Sequence, residues 1–144
     1  MSDTAPKFDP AAFTTDPYVK RVDKPWGWEI HWVPEGKPYM GKVLHLNKGG
    51  RLSLQVHDSK EESYFLISGR GSLIWENEKG DLVETELQPG YGYSTDVGQK
   101  HRLVGITDCD IVESSTPEKG TTWRLEDDYA RPDETPDQRI KERT

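Results

Sequence analysis

The chain is 144 residues long, enough for one domain with a single core. It carries 26 acidic against 19 basic residues, a net charge of −7, which argues against broad nucleic-acid binding, because neutralising phosphates needs a basic face. One cysteine, Cys109, leaves no intramolecular disulfide to form, and no apolar run reaches the ~20 residues of a membrane span. Nothing at the start reads as a secretory signal. A cytoplasmic protein with neither nucleic-acid nor membrane partners is therefore expected.

Residues 1–20 are rich in Asp, Thr, Pro and Ala and show no sustained period. They are expected to be a mobile arm, with Phe8 and Phe13 as its large apolar anchors. Apolar residues alternate over 26–32, which places Trp26, Trp28, Ile30 and Trp32 together on one half-buried strand face. Pro34, Gly36 and Pro38 break that strand. Residues 39–46 form the next one, with Lys42, Leu44 and Leu46 on one side. Lys42 can face a pocket or solvent.

Residues 49–69 open on two glycines, close on one, and hold two strand-like runs, 52–56 and 63–67. Gln55 and His57 are two apart, so a strand puts both on one face. Asp58, Ser59 and Lys60 favour a turn, and Glu62 then lies on the returning run. An amide oxygen, an imidazole and a carboxylate can thus converge. A further ligand, His101, follows a glycine-punctuated run over 89–98.

Beyond this stretch, strands are expected over 71–75, 82–87, 91–94, 101–106, 109–114 and 121–125. A polar hairpin loop at 76–81 and a turn at Pro89-Gly90 separate the first of them. Short strands at short intervals point to an all-β sandwich or barrel. Thr135 and Pro136 look like the N-cap and first residue of a short helix. The expected division is an arm at 1–20, a β domain at 21–125 and a charged extension at 126–144. His31 and His45 have no ligand context, and Cys109 is expected to be an inert buried thiol.

The first stretch reads G-x5-Q-x-H-x4-E-x6-G and the second G-x5-D-x-G-x2-H. These resemble the two metal-binding motifs of the cupin superfamily. Gln55 stands where many cupins have a first histidine, and Asp96 where the second motif has proline. A narrower resemblance also holds. Ser53-Leu54-Gln55-Val56-His57 with Lys60, Glu62 and Tyr64 is similar to the mannose-6-phosphate isomerase pattern S-L-Q-x-H-x-x-R-x-E-x-W. Lys60 replaces its arginine and Tyr64 its tryptophan. Gly98, His101, Arg102 and Leu103 resemble its G-x-x-H-R-L, Lys24-Pro25-Trp26-Gly27-Trp28 its R-P-W-G-W, and residues 124–131 its R-F-E-D-D-Y-G-R. The likeness runs from about residue 22 to 131. It is strongest to the C-terminal domain of the bifunctional mannose-6-phosphate isomerase/mannose-1-phosphate guanylyltransferase enzymes.

The resemblance implies a small jelly-roll β-barrel of two antiparallel sheets. It implies one divalent metal ion (zinc, iron(II), manganese, cobalt or nickel) held by Gln55, His57, Glu62 and His101. It further implies isomerisation of a sugar phosphate, gripped by Lys42, Lys60, Arg102 and Arg124, with Arg131 a further candidate. The base stays open between Glu29, Glu113 and a metal-bound hydroxide. Two other classes stay open as well: a mononuclear iron(II) dioxygenase and a non-catalytic ligand-binding cupin. A homodimer is expected, since a small barrel has sheet edges to cover, with strand 26–32 and the arm as interface elements.

Overall fold

The computed structural model describes residues 4–14 and 16–144; the parts of the expected arm at residues 1–3 and 15 lie outside the described residues. Among the described residues, eleven strands make two antiparallel sheets. One sheet contains β1 (Lys20–Lys24), β2 (Gly27–His31), β3 (Met40–Leu46), β10 (Cys109–Ser115), β5 (Glu62–Ser68) and β8 (Gly92–Thr95), in that spatial order. The other contains β11 (Thr122–Glu126), β4 (Leu54–His57), β9 (His101–Gly105), β6 (Gly71–Glu76) and β7 (Leu82–Glu86). A short helix, α1 (Pro136–Glu142), follows the last strand, and Thr135 caps it as expected, its hydroxyl accepting from Gln138 N at 3.1 Å.

The inward faces of the strands are divided between two kinds of side chain. On β3, Lys42 is followed by Leu44 and Leu46; on β5, Glu62 by Tyr64 and Leu66; on β9, His101 by Leu103. β10 runs the other way, with Cys109 and Ile111 first and Glu113 after. Antiparallel register aligns like with like, pairing Leu44 and Leu66 with Ile111, and Lys42 and Tyr64 with Glu113. One end of the interior is therefore an apolar core that includes Leu44, Leu46, Leu66, Leu73, Leu103 and Ile111. Each such side chain contributes about 1.5–3 kcal/mol by burial. The other end is polar and carries the candidate site.

Strand β2 departs from expectation. Glu29 and His31 face inward and are buried, while Trp28 and Ile30 are half-buried on the outer face and Trp32 is 47% exposed. The interior beside β2 is the polar end, so its apolar face is the outer one. There Trp28 stacks on His45 with ring centroids 4.8 Å apart, and the Arg21 guanidinium lies 5.0 Å from the Trp28 ring. Trp26 is not on that face; it sits in the two-residue turn between β1 and β2 and is buried in the core. Strand β1 was not expected at all. The expected arm holds a 3-10 turn, Pro10–Ala12, flanked by an edge-to-face contact of Phe8 and Phe13.

Gly69 closes the two-residue connection between β5 and β6 with φ +74. An added Cβ would also collide with the Asp108 carbonyl oxygen. Gly69→Ala should therefore cost more than the ~1–2 kcal/mol of the left-handed backbone alone. Urea unfolding of the variant measures this, and a loss under about 1 kcal/mol would mean the hairpin has re-formed differently.

Candidate metal centre

The three donors come from both sheets. His57 ends β4, Glu62 begins β5 and His101 begins β9. β4 and β5 are not paired as a hairpin; they lie in opposite sheets, so the donors meet across the interior. The loop before β9 is fixed to the first motif by Gly98 N donating to His57 O at 2.9 Å. Asp96, in place of proline, still forms the turn, with Gln99 N donating to its carbonyl at 3.2 Å.

One ligand atom each from His57, Glu62 and His101 lies within 4.8 Å of the others, and all three residues are buried. His57 Nε2 is 3.1 Å from Glu62 Oε1, and His101 Nε2 is 3.3 Å from Glu62 Oε2. His101 Nδ1 lies 2.8 Å from the Gln99 carbonyl, which can only accept, so that nitrogen carries the proton. Nε2 then presents a lone pair into the site, and it is buried without a hydrogen-bond partner. His57 Nδ1 is likewise held, 2.7 Å from Thr122 Oγ1. Burial lowers the His57 pKa, against the pull of Glu62, and favours the neutral ring. With the His57 proton on Nδ1, donated to the Thr122 hydroxyl, its Nε2 would face the Glu62 carboxylate as a second lone pair beside that of His101, an arrangement that a cation among them satisfies. The donor set therefore fits a divalent ion, with the outer nitrogens tethered as metal-binding imidazoles usually are.

Burial alone would raise the Glu62 pKa, but Lys60 and the two imidazoles hold it well below the usual carboxylate range. Tyr64, standing where the resembled pattern has tryptophan, donates its hydroxyl to Glu62 Oε2 and lies 3.1 Å from Thr95 Oγ1. Gln55 lines the same cavity. Its Oε1 accepts from Ser53 Oγ at 2.9 Å and its Nε2 is 3.5 Å from His57 Nε2. Turning the amide over keeps Ser53 paired, since a hydroxyl both donates and accepts, and aims the oxygen at the site.

The expected cations divide. Lys42 and Lys60 are buried at the polar end, as the period of β3 and the turn before β5 require. Lys42 Nζ meets Glu29 at 3.4 Å and Glu118; Lys60 Nζ meets Glu62 at 2.7 Å and Glu113 at 3.2 Å. Arg124 lines the cavity, but its guanidinium is taken by Glu142 at 2.8 Å, Glu134 at 3.3 Å and the Pro132 carbonyl at 2.8 Å. Arg131, a further candidate, pairs with Asp127 at 2.9 Å. Arg102 is a correction. It neighbours His101 on β9 and so points to the opposite face, donating to Leu52 O at 2.9 Å and approaching Glu126 and Asp128. Of the proposed bases, Glu29 is engaged by His31 at 2.8 Å, while Glu113 Oε2 is buried with Lys60 as its charged neighbour. His31 and His45 are structural, the latter 2.7 Å from Asp110. Cys109 is buried, and burial raises its pKa to about 11.

Residues that sequence reasoning passed over close the mouth of the cavity. Glu118 arrives on the β10–β11 connection, Glu134 just before α1, and Arg139 and Arg143 from α1 and its end. Arg139 pairs with Glu134 at 3.0 Å, Lys24 with Glu134 at 3.9 Å, and Arg143 with Glu118. The expected charged extension is thus folded over the site. Under it the cavity holds about 50 Å³, room for a water or two, where small-molecule sites span roughly 300–1,000 Å³. Helix α1 buries no residue, and Ile140 is exposed, so polar contacts fasten this part of the cover: the ion pairs, Arg139 donating to the Gly120 carbonyl at 3.0 Å, and a backbone bridge of Glu134 to Thr122 just before the helix.

That fastening should fail in acid. Burial would raise the Glu134 pKa, but Lys24, Arg143 and Arg139 lower it from 4.5 to about 2. The folded protein then binds fewer protons than the unfolded chain between those values. The contribution, about 3 kcal/mol, is whole above pH ~4.5 and lost as the pH falls through ~2. Protection factors of the α1 amides, with the intrinsic pH dependence of exchange divided out, should fall over that window while those of the core strands hold. Protection factors in α1 unchanged from pH 7 to 2.5 would show that Glu134 does not hold the cover.

No family model matches the sequence, and no curated protein matches it. Solved structures do. Oxalate decarboxylase from Bacillus subtilis is similar with a TM-score of 0.61 at 15% identity, over 77% of this chain and 30% of that one. The capsular polysaccharide assembling protein CapF from Staphylococcus aureus matches at 0.58 and 15%, over 88% and 34%. KdgF from Halomonas sp. matches at 0.55 and 15%, over 69% and 89%. The chain thus spans about a third of the length of the first two. A further study of the Bacillus enzyme describes its Mn(II) centres. The likeness shows the fold alone, the small cupin β-barrel that the motifs imply; the short C-terminal helix is seen in this structure itself. Among the described residues, no helix is long and apolar enough to cross a membrane.

Proposed function

We propose that this chain is a metal-dependent cupin enzyme that interconverts an aldose phosphate and a ketose phosphate, with Gln55, His57, Glu62 and His101 as the metal ligands. The observation that carries the reading is the charge of the cavity. In a chain of net charge −7, its lining holds eight lysines and arginines against five glutamates, and six of those cations remain once Arg124 and Arg131 are set against Glu142 and Asp127 outside it, beside a donor set that fits a divalent ion. A small anionic substrate is what such a lining selects.

Bound there, a divalent ion would supply Lewis-acid polarisation of a substrate carbonyl. The chain supplies the proton transfer. Burial, opposed by Glu29, lowers the Lys42 pKa only to about 8, so at neutral pH it stays mainly an ammonium and is able to hold an anion. Glu113 is the proton carrier within reach of the same space, 3.2 Å from Lys60. It takes the proton from one of two adjacent carbons and returns it to the other, while the hydroxyl proton passes from one substrate oxygen to the other. Lys60, kept protonated by Glu113 and Glu62 despite its burial, holds negative charge in place and moves no proton.

The test is the metal-loaded protein with mannose 6-phosphate and fructose 6-phosphate in deuterium oxide. Interconversion with deuterium entering at C1 or C2 supports the reading. Absence of exchange with any hexose or pentose phosphate, together with oxygen uptake on a small organic substrate, would move the chain to the oxygenase class.

A further inference from the structure

Glu118 does nothing in the chemistry just described, yet its carboxylate is buried among four cations. One oxygen meets Lys42 Nζ and, at 3.3 Å, Lys60 Nζ; the other meets Arg143 and, at 3.9 Å, Arg139 Nε. The backbone on either side is tied down. Thr116 N donates to Glu61 O at 3.2 Å, Thr121 N to Asp58 Oδ1 at 3.1 Å, and Ser59 Oγ to Lys119 O at 2.9 Å. The part of this loop best able to leave is therefore the Glu118 side chain itself. Across from it, the helix carrying Arg139 has no apolar anchor.

We propose that these four cations form a subsite for the dianion of a phosphate monoester, and that Glu118 fills it as an internal stand-in while the cover is closed. Two planar guanidinium forks and two ammoniums suit three phosphate oxygens better than one carboxylate. The nest also lies beside the metal donors, since the Lys60 ammonium touches both Glu118 and Glu62. A phosphate held there leaves the rest of a short ligand to reach the donors. Arg139 and Arg143 thereby become ligand-binding residues, and the C-terminal helix becomes part of the site rather than only its cover. The choice of phosphate rests on the sugar-phosphate reading above; the anion subsite itself rests on the four cations.

The experiment titrates inorganic phosphate, at constant ionic strength, into the full-length metal-free protein, by calorimetry. Glu118→Gln should bind phosphate at least tenfold more tightly than the parent. Arg139→Met or Arg143→Met, added to Glu118→Gln, should each weaken it by at least tenfold. In the parent protein, the Arg139 and Arg143 Nε–H signals should shift on adding phosphate, a readout that needs no variant to fold. Equal phosphate affinity in the parent and Glu118→Gln, or arginine signals that do not move, would overturn the subsite. Acetate binding to Glu118→Gln as tightly as phosphate would overturn its assignment to phosphate. Tightened phosphate binding without sugar-phosphate turnover leaves the subsite standing and removes the isomerase reading. Turnover with an unchanged KM in the arginine variants does the reverse.

Discussion

Alanine at position 101 should release the metal at neutral pH. His101 contributes a buried lone pair whose direction is fixed by the Gln99 carbonyl, so no neighbouring group can replace it. Outer hydrogen-bond partners of metal ligands are themselves worth about 10–100-fold in affinity, and loss of the ligand should exceed ~100-fold. His57→Ala should behave alike. Thr122→Val, which unties His57 Nδ1, should fall in the 10–100-fold range. Gln55→Ala should cost least, since a neutral amide is the weakest donor of the four. Metal content after dialysis, followed by a chelator competition, gives the order. One equivalent of metal retained by both His57→Ala and His101→Ala would place the ion elsewhere.

The convergence of His57, Glu62 and His101 was legible because it depends on local rules. Period two puts Gln55 and His57 on one face, and fixed spacing brings Glu62 and His101 to the starts of their strands. Which sheets those strands join was not legible. The turn at 58–60 reads as a hairpin, but it carries the chain from one sheet to the other, so the ligands face each other instead of lying side by side. The same period argued against Arg102, because the residue after an inward His101 must point outward.

Strand β2 was misjudged for a related reason. Alternating hydropathy assigns the apolar face to the interior, which holds where the interior is a core. Here it is a charged cavity, and Glu29 and His31 are the inward pair while Trp28 finds His45 and Arg21 outside. The C-terminal helix was legible as a helix, through Thr135 and Pro136, but its docking was not. It buries no apolar face, and the ion pairs that place it, Arg124 with Glu142 and Arg143 with Glu118, join residues far apart in sequence. No period or spacing encodes such pairs.

Removing the Lys60 charge should have the largest effect on stability. Its ammonium lies 2.7 Å from Glu62, 3.2 Å from Glu113 and 3.3 Å from Glu118, and all four groups are buried. Lys60→Met leaves three carboxylates without their shared cation, and breaking a buried ion pair in this way costs about 3–5 kcal/mol. That is a large fraction of the ~5–15 kcal/mol that holds a domain folded. A divalent ion on Glu62 would replace part of the missing charge. Metal should therefore raise the melting temperature of Lys60→Met by more than that of the parent, which already has its cation. Lys60→Arg keeps the charge, restores the residue of the resembled isomerase pattern, and should retain most of the stability. Urea unfolding of the three proteins, with and without metal, separates these effects. A loss under about 1 kcal/mol in metal-free Lys60→Met would mean that the carboxylates relieve themselves by taking up protons or water. An equal metal response in variant and parent would mean that the ion does not sit on Glu62.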